Sequence, residues 1–184
     1  MKIRPRHHTK HEGFTIIELM IATLVFSVIL MVVTFGLLQI GRTYYKGVTM
    51  SKTQSAARRI MDSVSQEIQY TSGTLRQTPE EAICIGSRRY NINLGVQLTA
   101  ANNVLYVDNN SASNCARDSF NSGDTELLEP NMRVTKFAVN NLGGNLYNIV
   151  VRIVYGDTDL LVPPANDTCQ NTQAGTQFCA VSEL

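Results

Sequence analysis

FTIIELMIATLVFSVILMVVTFGLLQI, residues 14–40, decides the fold. These 27 residues carry one charge, Glu18. As an α-helix the run spans roughly 40 Å at about 1.5 Å per residue, enough to cross a bilayer core of about 30 Å. A helix this apolar on every face does not belong on the surface of a water-soluble domain. Lys2, Arg4, Arg6 and Lys10 stand just before it, against the single acid Glu12. That imbalance orients the segment, with its N-terminus in the cytoplasm and the rest of the chain outside.

Hydropathy alone also fits a secretory signal peptide or a plain single-pass anchor. Two features count against these readings. A secretory signal is cut after its apolar run, at a small-residue step, and no such step follows Ile40. Glu18 is the second feature, because a carboxylate inside an apolar membrane helix costs about 2.5–3.5 kcal/mol on an insertion scale. A passive anchor gains nothing from that cost.

Gly13-Phe14-Thr15-Ile16-Ile17-Glu18 resembles the type IV prepilin motif, with a Gly before the cut, Phe after it and a Glu at the fifth position beyond it. The short basic leader and the long apolar helix complete the likeness, which covers about the first 60 residues closely. The resemblance implies cleavage after Gly13 by a membrane prepilin peptidase and N-methylation of Phe14. The apolar helix then stays in the membrane, because the cut lies before it. Glu18 is implied to form an assembly salt bridge with the Phe14 amine of a neighbouring subunit, since an unpaired buried charge is strongly unfavourable.

Beyond Ile40 the helical spacing persists with a different composition. Ala57, Ile60, Met61, Val64 and Ile68 fall on one face, while Arg58, Arg59, Asp62, Ser65, Gln66 and Gln69 fill the rest of the turn. Thr71-Ser72-Gly73 supplies a stop signal. Gly36, Gly41 and Gly47 interrupt the pattern, each costing about 1 kcal/mol relative to Ala. They mark either a bend or close packing by small residues. The expected organisation is a leader at 1–13, a transmembrane and filament-core helix at 14–40, an amphipathic helix at 41–72, and a β-rich extracytoplasmic domain at 73–184.

The β-rich part shows strand patterns at Arg88–Leu94 and Asn103–Val107. Its best signal is an antiparallel hairpin, Met132–Asn140 and Leu146–Tyr155 around the turn 141–145. Tyr147, Ile149, Val151, Ile153 and Tyr155 alternate onto one face, expected to cover the apolar stripe of the helix. A final strand is expected at Gln177–Leu184. The fold class is α+β and pilin-like: one long helix, about 14–72, laid on an antiparallel sheet.

Cys84, Cys115, Cys169 and Cys179 all lie on the outer side, where an even count favours disulfides. Three pairings are open. Cys84–Cys115 and Cys169–Cys179 are favoured because each closes a local, turn-rich loop. No C-x-x-C pair is present and the three His residues lie in the leader, so no metal is expected. The polar stretches at 108–118 and 157–159 lack the spacing of a helix-loop-helix calcium site. A net charge of +1 argues against a nucleic-acid binder. With no His after the cut, a Ser/His or Cys/His enzyme is excluded, and a structural subunit without cofactor is expected.

Residues 57–68 look like the corresponding helix of PilW-like minor pilins and J-type pseudopilins, and Phe178-Cys179-Ala180-Val181-Ser182 resembles the end of those proteins' β-rich domain. This second likeness is weaker than the first. It implies a minor pilin whose partners are the prepilin peptidase, other pilins, assembly-platform proteins and inner-membrane lipid. The alternatives are a pseudopilin of a secretion or DNA-uptake pseudopilus, and a tip-located binding subunit whose loops between Asp108 and Glu129 contact a surface, DNA or a partner.

Overall fold

A computed structural model describes residues 13–71, 75–79, 81–109, 115–170 and 178–184. The chain forms α1 (Ile16–Tyr70), β1 (Arg76–Thr78), β2 (Ala82–Ile85), β3 (Arg88–Ile92), β4 (Leu105–Asp108), β5 (Thr125–Glu126), β6 (Met132–Gly143), β7 (Leu146–Tyr155) and β8 (Ala180–Glu183). By packing it divides into one unit that ends at Gly41 and another that runs from Arg42 to Leu184. The architecture is α+β and pilin-like.

In the first unit the apolar residues have no core to enter. Every large apolar side chain from Phe14 to Ile40 is between 48% and 89% exposed. The few hydroxyls are returned to the helix's own carbonyls: Thr23 donates to Met20 O at 3.0 Å, Ser27 to Thr23 O at 2.7 Å and Thr34 to Leu30 O at 2.7 Å. A lipid-embedded helix requires this closure, because no water is at hand to satisfy a free donor. The helix runs unbroken through Gly36, Gly41 and Gly47. A Cβ at any of the three would meet nothing within 4 Å, so packing inside the chain does not explain them.

In the second unit one face of α1 is buried, at Thr49, Thr53, Ala56, Ala57, Ile60 and Val64. Met61 and Ile68, expected on that face, are partly buried at its margin. The stripe therefore starts two turns earlier than the aliphatic pattern suggests. Thr49 and Thr53 enter the core because their hydroxyls bond within the helix, Thr53 to Thr49 O at 2.7 Å. The stop signal falls largely outside the described residues, but the last helical bond, Thr71 N–H to Glu67 O at 3.0 Å, ends the helix beside it.

The antiparallel region is divided between two sheets rather than gathered in one: β1 to β5 in chain order, and β6, β7, β8. The core joins α1 to both. Ile60 and Val64 cluster with Ile83, Ile85, Tyr90 and Ile92 of the first sheet and with Val134, Phe137, Val151 and Ile153 of the second. Tyr90 touches all three parts: its hydroxyl lies 3.3 Å from Ser63 Oγ and its ring meets Phe137 edge-on at 6.2 Å. The hairpin is longer than expected. Its ladder continues through Asn141 and Gly143 with a bulge between them. Gly144 and Asn145, at φ +60° and +65°, alone make the turn, a two-residue connection that needs positive φ at both positions. The other strands differ at their ends: β3 stops at Ile92, β4 runs from Leu105 to Asp108, and β8 begins at Ala180. Gln177, the expected start of the last strand, lies outside the described residues.

The far face of the first sheet is covered by the segment after Cys115. Ala82 and Cys84 pack there against Cys115, and Cys84–Cys115 and Cys169–Cys179 are bonded, each with Cα atoms 5.9 Å apart. Beside them Arg89 and Asp108 face each other across β3 and β4. Arg89 Nε donates to Asp108 Oδ2 at 2.8 Å and Nη2 to Asp118 Oδ2 at 2.9 Å. Burial works against the charge on Arg89, but the two carboxylates outweigh it and hold its pKa above arginine's ordinary value.

Two measurements check this packing. In chemical denaturation of the full chain, Ile60→Ala is expected to lose about 2–5 kcal/mol, and Arg58→Ala, on the exposed face, within about 0.5 kcal/mol; equal losses would contradict the assigned face. Alkylation of the unfolded, unreduced protein is expected to label no cysteine, and four labelled cysteines would remove both disulfides.

Candidate functional site

The residues singled out around the N-terminal step lie together at the start of α1. Gly13 and Phe14 precede the helix in non-helical backbone, and both are exposed. The Gly13–Phe14 peptide bond thus lies outside the i→i−4 ladder and is open to an enzyme approaching the backbone. Phe14 is 89% exposed. Among the described residues no side chain shields the step, and Gly13 presents none of its own.

Thr15 and Glu18 close the helix end between them. Glu18 Oε2 accepts from the Thr15 N–H at 2.9 Å and from the Thr15 hydroxyl at 2.8 Å, and the Glu18 N–H donates to Thr15 Oγ1 at 3.3 Å. This reciprocal arrangement is a capping box, in which a hydroxyl residue and an acid three positions on satisfy donors that the first turn leaves free. The sequence carries the signal, a Thr-x-x-Glu ahead of an apolar run, and a reading of Glu18 as an intersubunit group alone passes over it. The carboxylate also meets the positive end of the helix dipole. Oε1 has no partner among the described residues, so one oxygen of Glu18 holds the helix and the other is available to a second donor.

From this point α1 offers an uncharged apolar surface up to Ile40. It is long and apolar enough to cross a membrane. A cut at Gly13–Phe14 creates a terminal amine four residues before Glu18, on a helix whose remaining contacts must come from lipid or from other apolar helices. Such an arrangement can anchor, and it can bind its like. Among the described residues no group of three His, Cys, Asp or Glu side chains could hold a metal ion. The disulfides lie elsewhere, on the β-rich part. The leader's basic residues lie outside the described residues.

Comparison with protein-family models matches residues 8–34 to the prokaryotic N-terminal methylation motif. No curated protein and no solved structure matches the chain. The match brackets Gly13, Phe14 and Glu18 and runs well into the apolar part of α1. Together with the single long helix and its antiparallel β-rich domain, the match supports a type IV pilin-like subunit with an apolar N-terminal helix.

Proposed function

We propose that this chain is a minor pilin: a low-abundance structural subunit of a type IV pilus, held in the inner membrane by α1, cut after Gly13, methylated on Phe14 and then built into a filament through the same helix. The observation that carries this reading is Glu18, the one charge on an exposed apolar helix, placed directly behind an accessible Gly–Phe step. The prepilin peptidase, the assembly platform and neighbouring pilins are its partners. Its role is structural rather than catalytic, in keeping with a mature chain that has no His.

Glu18 has two uses in this reading. Before assembly it caps its own helix. In the filament it pairs with the Phe14 amine of a neighbour, offsetting the burial of both charges and setting the register between subunits. The likeness of residues 57–68 to PilW-like proteins supports a minor rather than a major subunit. Glu18 also argues against the capping type of pseudopilin, which lacks this acid.

The N-terminal sequence and mass of mature protein test the processing step, with methylated Phe14 as the expected first residue. Gly13→Leu is expected to leave the precursor uncut, and mature protein of unchanged size would refute the site. Glu18→Ala and Thr15→Ala separate the two uses of the carboxylate. Both remove the cap, at a cost of about 0.5–2 kcal/mol, but only Glu18→Ala removes the intersubunit charge. Glu18→Ala is therefore expected to be cut normally and to be missing from sheared filaments, while Thr15→Ala is incorporated. Equal incorporation of the two variants would reduce Glu18 to a helix cap.

A further inference from the structure

A cleft of about 450 Å³ opens on the β-rich domain between the β3–β4 connection and the segment that follows Cys115. Its volume lies in the ~300–1,000 Å³ range of small-molecule sites. Its walls carry the side chains of Asn93, Asn102, Asn103, Arg117, Ser119 and Phe120, with Tyr106 below them. Ala101 and Asp118 complete the lining, so the wall groups are amides, a hydroxyl, a guanidinium, a carboxylate and one exposed aromatic ring. Phe120 is 40% exposed, its ring standing edge-on to Tyr106 with centroids 5.3 Å apart. Arg117 Nη1 donates to Ile92 O at 3.4 Å, and Arg117 forms no ion pair among the described residues.

The wall that carries Arg117, Ser119 and Phe120 is pinned with unusual force. Cys115 is bonded to Cys84 of β2. Arg89 donates from Nη1 to Ala116 O at 2.9 Å and from Nη2 to Asp118 Oδ2 at 2.9 Å. The Asp118 N–H donates to Asn91 Oδ1 at 3.0 Å, and the Tyr106 hydroxyl donates to Asp118 O. Arg89 is 3% exposed and Asn91 is fully buried. A buried ion pair stabilises a fold no better than well-packed apolar residues of the same volume. What this one accomplishes is position, since Arg89 also bonds Ala116 and Asp118, and Asn91, Tyr106 and the disulfide hold the same stretch, residues 115–118. The side chains held in place by it, Arg117, Ser119 and Phe120, contribute nothing to the core. Rigid backing of exposed polar groups and a ring is the construction of a binding site.

We propose that this cleft binds a saccharide. An aromatic face packs against the C–H side of a sugar ring while amides, a hydroxyl and a guanidinium bond its hydroxyls, and the cleft holds both kinds of group at once. Charge decides against a polyanion. Arg117 is the one cation on the walls, and Asp118 and Asp124 lie close to it in sequence and to Tyr106 in space. The polar walls decide against an apolar chain, which would leave the amides unpaired. The site is independent of filament incorporation, because α1 contributes nothing to it.

The test uses the full chain in lipid nanodiscs and saturation-transfer NMR with galactose, mannose, N-acetylglucosamine and glucuronic acid in turn. At least one is expected to receive saturation from wild-type protein. Phe120→Ala and Arg117→Gln are each expected to weaken that binding about fivefold or more, the loss of roughly 1 kcal/mol of contact. Both side chains are exposed, and an unchanged unfolding midpoint with no free thiol certifies each variant's fold. Saturation of none of the four sugars overturns the proposal. So does binding that both variants retain, or a tenfold preference for a single-stranded oligonucleotide over every sugar.

Discussion

The burial of one face of α1 between Thr49 and Val64 is the contact on which the β-rich domain depends. Neither sheet closes on itself. The first ends in the short strands β1 and β5, and the second has only three strands, so each needs an apolar surface from outside its own ladder. The helix supplies one surface to both. Small residues make the approach close: Ala56 and Ala57 are fully buried, and the methyl groups of Thr49 and Thr53 stand where larger side chains would hold the sheets off. Ile60 and Val64 then fill the space between the sheets. Of the ion pairs at the edges of this contact, Arg59–Glu129 at 3.2 Å is exposed and Arg88–Glu67 at 3.5 Å is half-buried on the Glu67 side; surface pairs of this kind add little by comparison.

What was legible in the sequence follows from how local each signal is. The apolar run, the Gly–Phe step and Glu18 are contiguous, and they carry the N-terminal methylation motif without reference to the rest of the chain. The β6–β7 hairpin is also local, with alternation on both sides of a Gly/Asn turn. Other features depend on partners far along the chain. β2 is buried on both faces, so Ala82–Ile85 has no alternation to read. β1 and β5 are two or three residues long and exist only through their neighbours. The division into two sheets has no sequence mark at all. Thr49 and Thr53 were hidden for a different reason, because a hydroxyl bonded to its own helix packs like an apolar side chain.

The two sheets are finished differently on their outer sides. The second sheet places Arg152 there, bonded to Glu183 at 2.6 Å and to Asp167 at 2.9 Å, and next to it Val154, buried against Leu160, Leu161 and Cys179. The hydrogen bond from Arg152, aided by the charge of Lys136, holds the Glu183 carboxyl below its ordinary pKa. The first sheet is covered, yet by polar chain rather than by a third apolar layer. Arg89 and Asp108 meet directly across the ladder, and the covering segment is bonded to that pair and to a disulfide. Each outer face thus carries a covering segment tied by a disulfide, apolar on the second sheet and largely polar on the first.

The capping box at the head of α1 carries an implication for encounters in the bilayer. A donor that approaches Glu18 finds a carboxylate already engaged twice by Thr15 on one oxygen. A neutral hydroxyl or amide from a passing helix can take the remaining oxygen only for the modest worth of one neutral bond. A charged amine offers roughly twice the strength of a neutral donor and can take the remaining oxygen without undoing the cap. The self-contained helix end therefore rewards a positive charge more than a neutral donor, with its cap kept in either case.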